Sequence, residues 1–452
     1  MVVLISNYEL GRFLWCESAL ERGLNAPFSR IAIGESFQRA YRPVLNLLER
    51  LMRRLTISLR KWFAARARNE AKKKSVVRRR SSSRTRKLIV QAWSGAGVED
   101  VFVKRQPWRP PAVLCFDHNT EDTLKFFEDW RLKSAAVKSS VSPKRLSWLT
   151  EPRNGRGMKS IETYADYAGI ETISTAAAVV IAADYERLAA LVGSAPPTIN
   201  LHLWSDPVFK KLFELGFFEI VGLTERVSDR YHDNGKARTM QILSGTNAEG
   251  NKVASEHLLA LSALITEGRG LSDEVSFALN SALDEAMINV ARHAYPEDHN
   301  TGYRHIGKWW VTAEADRLAK TLTIVIYDQG ATIPFTLPRR KAFHAVVDSI
   351  TRLVSPGSTH EFDNDSAYIA AAMDLGTSQT GQPFRGYGIP QMKDLIDICG
   401  KGRLSIFSRG GRCEYEARSN WGIRRSSFSR SIGGTLIEWV IELPENPNAN
   451  SQ

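Results

Sequence analysis

The chain has 452 residues and a net charge of +12, with 43% hydrophobic and 9% aromatic residues, which is typical of a soluble globular protein of two or three domains. The positive charge is concentrated in residues 1–90, where 21 Lys and Arg face 6 Asp and Glu, so the rest of the chain sums to about −3. The four cysteines lack metal-ligand spacing, no apolar run is long enough to span a bilayer, and the first residues do not resemble a signal peptide. These features argue against disulfide-rich and membrane-spanning classes and favour a cytoplasmic protein.

Residues 1–106 are predicted to form a basic helical or disordered segment. Residues 39–68 place leucine, valine and isoleucine at helical spacing with arginines between them, which predicts a basic amphipathic helix. Residues 72–87 carry too many like charges and too few apolar side chains to fold alone. Two interpretations of residues 39–87 stay open: an arm that binds nucleic acid or an anionic surface, and a solvated linker.

Residues 107–223 alternate strand-like and helical stretches, which favours a small sheet covered by helices. Strands are predicted at 112–116, 160–166 and 198–203, and helices at 119–131, 173–188 and 207–215. This order loosely resembles a STAS-type domain, the phosphorylatable partner fold of bacterial anti-sigma switches. In that family a serine at the start of the first long helix accepts phosphate. The matching residues here are Ser174 and Thr175, for which helix capping is the alternative role. Residues 224–254 are predicted to be a connector.

A long helix is predicted over residues 271–295, because apolar residues recur there at helical spacing and Ser272 can cap the start. Glu285, Asn289 and His293 follow one another at intervals of four and form one polar ridge. An amide oxygen suits Mg²⁺, and a carboxylate one turn earlier can position or deprotonate an attacking group. The alternative interpretation is an ordinary solvated helix face, and His293 is expected to be a packed structural histidine.

Three loops follow this helix. The apolar strand 321–328 stops at Asp328 and Gly330, where a carboxylate can accept the amine of adenine. Gly386 and Gly388 open a further helix and offer backbone amides to phosphates. The neighbouring Arg385 is either a phosphate contact or a surface arginine. The stretch 355–385 is polar and rich in glycine, serine and threonine, and it is predicted to be a lid. A last strand is entered through Gly433, Gly434 and Thr435.

The order of these motifs is similar to that of the GHKL ATPase superfamily, which includes histidine kinases, gyrase-type topoisomerases and anti-sigma serine kinases. The resemblance covers residues 255–445 and implies an α/β sandwich, a mixed sheet with helices on one face, with ATP between the layers. Residues 446–452 are predicted to be a disordered tail. The resemblance implies these roles: Glu285 as the base, Asn289 as the Mg²⁺ ligand, Asp328 and Gly330 at adenine, Thr435 as a second adenine-side contact, and Arg385, Gly386 and Gly388 at the phosphates.

One residue departs from the GHKL pattern, because Thr332 stands where a second glycine usually follows. The short helix that ends in His-Ala-Tyr is most similar to that of the anti-sigma kinases.

Three functions remain open. The first, which we favour, is a phosphotransfer switch that uses ATP to modify a protein phosphoacceptor or a STAS-like regulatory partner. The second is a conformational ATPase in which ATP closes a lid or a homodimer while the basic arm grips nucleic acid. The third is a module that binds ATP without hydrolysing it.

Overall fold

The computed structural model describes residues 88–133, 147–152, 155, 157–268, 270–299, 302–339, 347–354, 361–374, 388–417 and 422–442. Residues 88–452 form one compact unit. The predictions for residues 39–87, for Arg385 and Gly386 and for the tail 446–452 lie outside the described residues. Within the described part of the chain, no helix combines the length and the apolar character needed to cross a membrane.

The amino-terminal part of this unit contains seven short strands among the described residues: β1 (Ile89–Ser94), β2 (Gly97–Val103), β3 (Val113–Leu114), β4 (Leu149–Thr150), β5 (Ser160–Ile161), β6 (Thr172–Ile173) and β7 (Thr198–Ile199). Five of them form one sheet in the order β4-β5-β2-β1-β7, and β3 pairs with β6 separately. The stretches predicted as strands at 160–166 and 198–203 are therefore only two residues long, and they share a sheet with β1 and β2.

The helices of this part are α1 (Thr120–Lys133), α2 (Thr175–Val192), α3 (Asp206–Glu214), α4 (Phe217–Ile220) and α5 (Thr224–Val227). The first three correspond to the three predicted helices. In α2, the Ser174 side chain accepts a hydrogen bond from the Ala177 amide, and Gly193 ends the helix in a left-handed conformation. Helix α2 is apolar on nearly all sides, and a helix of that kind must be buried on all sides.

The second sheet is larger and contains the remaining strands: β8 (Ala237–Thr239), β9 (Leu243–Gly245), β10 (Trp309–Asp316), β11 (Thr321–Asp328), β12 (Gly402–Ser408), β13 (Gly411–Glu416), β14 (Ile423–Ser427) and β15 (Thr435–Glu442). We call it the central sheet. Its order is β14-β13-β12-β15-β11-β10-β8, and β9 also pairs with β10. The predicted connector 224–254 thus contains two strands, β8 and β9. Each is only three residues long and is stabilised by its hydrogen bonds to β10.

Six further helices complete the described part: α6 (Asn251–Ser262), α7 (Asp273–Asn289), α8 (Ile333–Thr336), α9 (Val347–Leu353), α10 (Asp365–Asp374) and α11 (Gly388–Cys399). Helices α6, α7, α10 and α11 share a core with the side chains that point to one face of the central sheet, among them Leu322, Ile324 and Ile326 of β11. Successive side chains of a strand point to opposite faces, so Val325 and Tyr327 belong to the other face. These two residues pack in the core that contains α1 and α2.

The predicted α/β class is confirmed, and two details differ from the expected sandwich. Each described strand pair of the central sheet is antiparallel, whereas a mixed sheet was implied. Helices also cover both faces of this sheet, because α2 packs against β10 and β11 from the side opposite α7. The physical reason is the apolar surface of α2. The short strands of the amino-terminal part are too small to cover this surface.

Candidate functional site

A cavity opens between the central sheet and the end of helix α7. Its polar lining residues are Asn289, His293, Asp328, Thr336 and Thr435. Its other lining residues are alanine and larger aliphatic side chains together with Met392, so the cavity is an apolar slot with a few polar groups. The structure therefore brings together three of the predicted site residues, one from α7 and two from neighbouring strands.

Asp328 ends strand β11 on the face that α7 covers. Its carboxylate accepts a hydrogen bond from the Gly330 amide at 2.8 Å, and it is only 4% exposed. Burial raises the pKa of Asp328 to about 7, although hydrogen bonds from the backbone amides of Gly330 and Thr435 act in the opposite direction. A buried acceptor of this kind in a cavity wall can recognise an amino group of a ligand.

Two glycines are required here by close packing of the backbone. A Cβ on Gly330 would lie 2.1 Å from the carbonyl oxygen of Ala294, and a Cβ on Gly434 would lie 1.9 Å from that of Asp328. Gly330 therefore lets the loop after β11 approach the end of α7, while Gly434 lets β15 begin beside Asp328. The sequence predicted that Gly330 lets the backbone approach the base of a ligand. In the structure, the group that Gly330 approaches is the protein's own backbone.

Thr435 lies directly across from Asp328 in the β11–β15 pairing and across from Ser408 in the β12–β15 pairing. The hydroxyls of Ser408 and Thr435 are 2.9 Å apart, and the Ser408 hydroxyl accepts a hydrogen bond from the Ile333 amide at 2.8 Å. Ser408 was not predicted from the sequence. Its signal is the alternation of β12, which places Leu404, Ile406 and Ser408 on the cavity face.

Helix α7 begins at the predicted cap, where the Ser272 hydroxyl accepts a hydrogen bond from the Val275 amide at 3.3 Å. It ends in a π turn over Val290–Ala294, a feature that often occurs at functional sites. The Asn289 amide nitrogen donates to the Glu285 carboxylate and to the Glu285 carbonyl, both at 2.9 Å. Asn289 lines the cavity and Glu285 does not. Glu285 therefore orients a side chain, that of Asn289, which lines the cavity.

The structure corrects the expectation for His293. This residue is exposed and lines the cavity, whereas a packed position was expected. His293 lies within the π turn over Val290–Ala294, where the chain departs from regular α-helical geometry.

The predicted phosphate loop is described only from Gly388, the first residue of α11, and Ile389 and Met392 of that helix line the cavity. The predicted lid 355–385 is described only over residues 361–374. There the chain forms helix α10, eight of whose ten residues are buried, so this middle part is packed core, whereas a polar stretch was expected. Its apolar run of Ile369 and alanines is the reason, because these side chains pack against the central sheet.

Ser174 and Thr175, the residues that matched the phosphoacceptor position of the STAS family, are both engaged. Ser174 caps α2, and Thr175 is 5% exposed and donates its hydroxyl hydrogen bond to Glu314 of the central sheet. Cys399 and Cys413 are free thiols in the same core.

Comparison with protein families identifies one domain in the chain. A family model described as a histidine kinase-like ATPase domain matches residues 248–403. Comparison with curated proteins gave no match. The matched range contains helix α7 and the loop after Asp328, and it ends before Ser408 and Thr435. The carboxy-terminal half of the chain therefore contains a GHKL-type domain of the histidine kinase-like ATPase family.

Proposed function

We propose that the chain binds Mg-ATP in the cavity below α7 and acts as a regulatory ATPase or serine/threonine protein kinase of the anti-sigma switch type. The observation that carries this proposal is the convergence of Asn289, Asp328 and Thr435 on one apolar slot. The three residues come from segments far apart in the chain, and each is of the type that the corresponding role in the GHKL superfamily requires.

The adenine end of the proposed site is the row formed by Asp328, Thr435 and Ser408 at the ends of three adjacent strands. The carboxylate of Asp328 accepts the hydrogen bond of the exocyclic amine, and the hydroxyl pair beside it can donate a hydrogen bond to a ring nitrogen. Aliphatic side chains such as Ile333, Ile437 and Met392 enclose the base on its faces.

The magnesium end is Asn289. Among the described residues no group of three His, Cys, Asp or Glu side chains could hold a metal. Mg²⁺ takes one or two oxygen ligands from the protein and keeps waters and phosphate oxygens for the rest, so a single amide oxygen suits it. Because the amide nitrogen of Asn289 donates to Glu285, the amide oxygen is the group that Asn289 can present to a cation. When bound, the cation supplies positive charge to the transferring phosphoryl group.

Glu285 is the proposed base. In the transfer, an acceptor hydroxyl attacks the γ-phosphorus, a new O–P bond forms, the bond to the β,γ-bridging oxygen breaks, and ADP leaves with that electron pair. Glu285 takes the proton of the attacking hydroxyl. The acceptor is proposed to lie on a separate protein, since Ser174 and Thr175 are engaged in cap and sheet contacts. With water as the attacking group, the same step is ATP hydrolysis.

Binding is tested by titrating Mg-ATP into the full chain in a calorimeter. Asn289→Ala should weaken binding at least tenfold, because it removes the proposed metal ligand. The matched control is Asn280→Ala on the same helix, whose side chain contacts Ser255 and does not line the cavity. Equal binding by wild type and Asn289→Ala would show that the site is assigned wrongly.

The reaction is tested with ATP labelled at the γ-phosphate. Label retained on added protein supports the kinase, free phosphate that increases with nucleic acid supports the conformational ATPase, and tight binding without turnover supports the binding module. Glu285→Gln should keep Mg-ATP binding and lower turnover by roughly 10²–10⁴-fold, the usual contribution of a general base. Unchanged turnover would remove Glu285 from the mechanism.

Removing residues 1–87 tests the role of the basic segment. Salt-sensitive nucleic-acid binding should disappear with this segment if it is an arm. Binding that persists in the shortened chain would contradict the arm interpretation.

A further inference from the structure

A buried charged cluster lies behind the candidate site, on the face of the central sheet that α2 covers. Its members are Arg131 of α1, Asp184 and Arg187 of α2, and Gln329, which directly follows Asp328. All four side chains are at most 1% exposed. Groups of this polarity are rarely buried so completely, so their arrangement calls for a specific cause.

Asp184 is the centre of the cluster. One of its carboxylate oxygens accepts hydrogen bonds from Arg131 Nε at 3.2 Å, from Arg187 Nη2 at 3.2 Å and from Gln329 Nε2 at 2.9 Å. A carboxylate can only accept, so the amide nitrogen of Gln329 must face it. Helices α1 and α2, which we call the amino-terminal layer, therefore hold the loop after β11 through the side chain of Gln329.

The same cluster reaches the loop that leads into β15. Arg131 donates from Nη1 to the carbonyl oxygen of Ile432. Tyr303 and Tyr327 donate from their hydroxyls to the carbonyl oxygen of Gly433, the latter at 3.2 Å. Asp328 directly precedes a residue of this cluster, and Thr435 lies two residues after a carbonyl that is held in this way. Both strand ends that line the cavity therefore adjoin backbone fixed by these hydrogen bonds.

The cluster is a poor device for stability alone. Two guanidinium groups face one carboxylate, and Arg131 Nη2, Arg187 Nε and Gln329 Oε1 have no hydrogen-bond partner in the part of the chain that the structure describes. Apolar side chains of similar size would fill such a position at lower cost. What the charged groups add is direction, because each hydrogen bond fixes one atom of a loop in one place.

We propose that Asp184, through Gln329, and Arg131, through the Ile432 carbonyl, are positioning residues for the nucleotide site, so that the docking of α1 and α2 sets nucleotide affinity. The inference rests on the proposed function of the cavity. Neither Asp184 nor Arg131 lines that cavity, so they act through the loops and do not touch the nucleotide. The coupling is reciprocal: a nucleotide that fixes these loops also fixes the docking of the amino-terminal layer.

The test uses the full chain with two variants and one matched control. Asp184→Asn removes the central charge, and Gln329→Leu removes the link from the side of the loop while leaving both arginine contacts of Asp184 in place. The control is Glu314→Gln, which perturbs other contacts of the amino-terminal helices with the same sheet, from Thr175 of α2 and Lys211 of α3 to Glu314. Glu314 pairs with Thr323, five residues before Asp328, so it lies roughly 17 Å along the sheet from the site.

Two readouts are measured on each protein: hydrogen exchange of the amides of residues 328–333, and the Kd for Mg-ATP. We expect Asp184→Asn and Gln329→Leu to speed exchange at the Gly330 and Ala331 amides and to raise the Kd, each by at least fivefold. Glu314→Gln should lower the melting temperature while leaving both readouts within twofold of wild type. If Asp184→Asn does not fold, Gln329→Leu decides the question alone.

Three results would overturn the inference. The first is a folded Gln329→Leu with exchange or Kd within twofold of wild type. The second is a control that shifts both readouts as much as the variants do. The third is a wild-type protein that does not bind Mg-ATP, which also overturns the proposed function. Wild-type binding that the variants leave unchanged overturns this inference only.

Discussion

The buried carboxyl of Asp328 predicts that adenine binding depends on pH near neutrality. Burial raises its pKa to about 7, so at pH 6 most of the unliganded protein carries a neutral acid in the cavity wall. The exocyclic amine of adenine donates a hydrogen bond and is best accepted by the carboxylate form. Binding should therefore strengthen as the pH rises from 6 to 8.

The size of this effect follows from the pKa. If only the carboxylate form binds, a pKa of about 7 raises the apparent Kd about 11-fold at pH 6, about 2-fold at pH 7 and about 1.1-fold at pH 8. The change between pH 8 and pH 6 is about tenfold, or about 1.4 kcal/mol. Burial lowers the pKa of His299 and His305 and raises that of Tyr295, so it disfavours the charged form of each of these groups.

Calorimetric titration with adenosine measures the effect, because adenosine has no group that titrates between pH 6 and 8 and avoids the protonation of the phosphates. Asp328→Asn should flatten the profile, since a neutral amide replaces the acid. Asp316→Asn, at the far end of β10, is the matched control and should keep the wild-type slope. The reasoning is refuted if the wild-type Kd changes less than twofold over this range, or if Asp328→Asn retains the slope.

Three further predictions concern stability. Protonation of Asp328 stabilises the folded state because its folded pKa of about 7 exceeds the ordinary aspartate value of 3.8. This contribution is complete below pH 4 and is lost as the pH rises through 7. Urea unfolding should therefore show wild type losing about 3 kcal/mol more than Asp328→Asn between pH 5 and pH 8, and parallel losses would contradict it. Gly330→Ala should cost about 3 kcal/mol because its Cβ meets the Ala294 carbonyl, whereas Gly169→Ala, whose Cβ meets nothing within 4 Å, should cost far less; equal thermal shifts would argue against the close approach. Ser408→Ala should lower the free energy of unfolding by about 1–3 kcal/mol, since it leaves the Ile333 amide without its acceptor, and a neutral result would mean that water replaces the hydroxyl.

The sequence predicted the parts of the site that depend on local pattern. Helix α7, with its cap at Ser272, follows from apolar residues at helical spacing, and the end of β11 at Asp328 follows from an apolar run that stops at a glycine. Asn289 and Thr435 were predicted from the order of the motifs along the chain, and both line the cavity. Each of these predictions needed only a short window of sequence.

The remaining parts depend on contacts between distant segments. Ser408 lies beside Thr435 because β12 pairs with β15, and Gln329 reaches Asp184 across 145 positions of the chain. Neither pairing has a local signature. The position of His293 was missed because a π turn is not visible in residue spacing. The roles of Arg385 and Gly386 stay predictions.

Because helices cover both faces of the central sheet, the histidine kinase-like domain cannot be separated from the helices that precede it without exposing apolar surface. A fragment that begins at residue 248 would lose α1 and α2 and leave a bare apolar wall of Trp310, Val325, Tyr327, Phe407 and Leu436, all at most 2% exposed in the full chain. Such a surface is large enough to drive aggregation. The boundaries of the family match are therefore not the boundaries of a foldable piece. A recombination that moves the candidate site to another protein should therefore carry the amino-terminal layer with it.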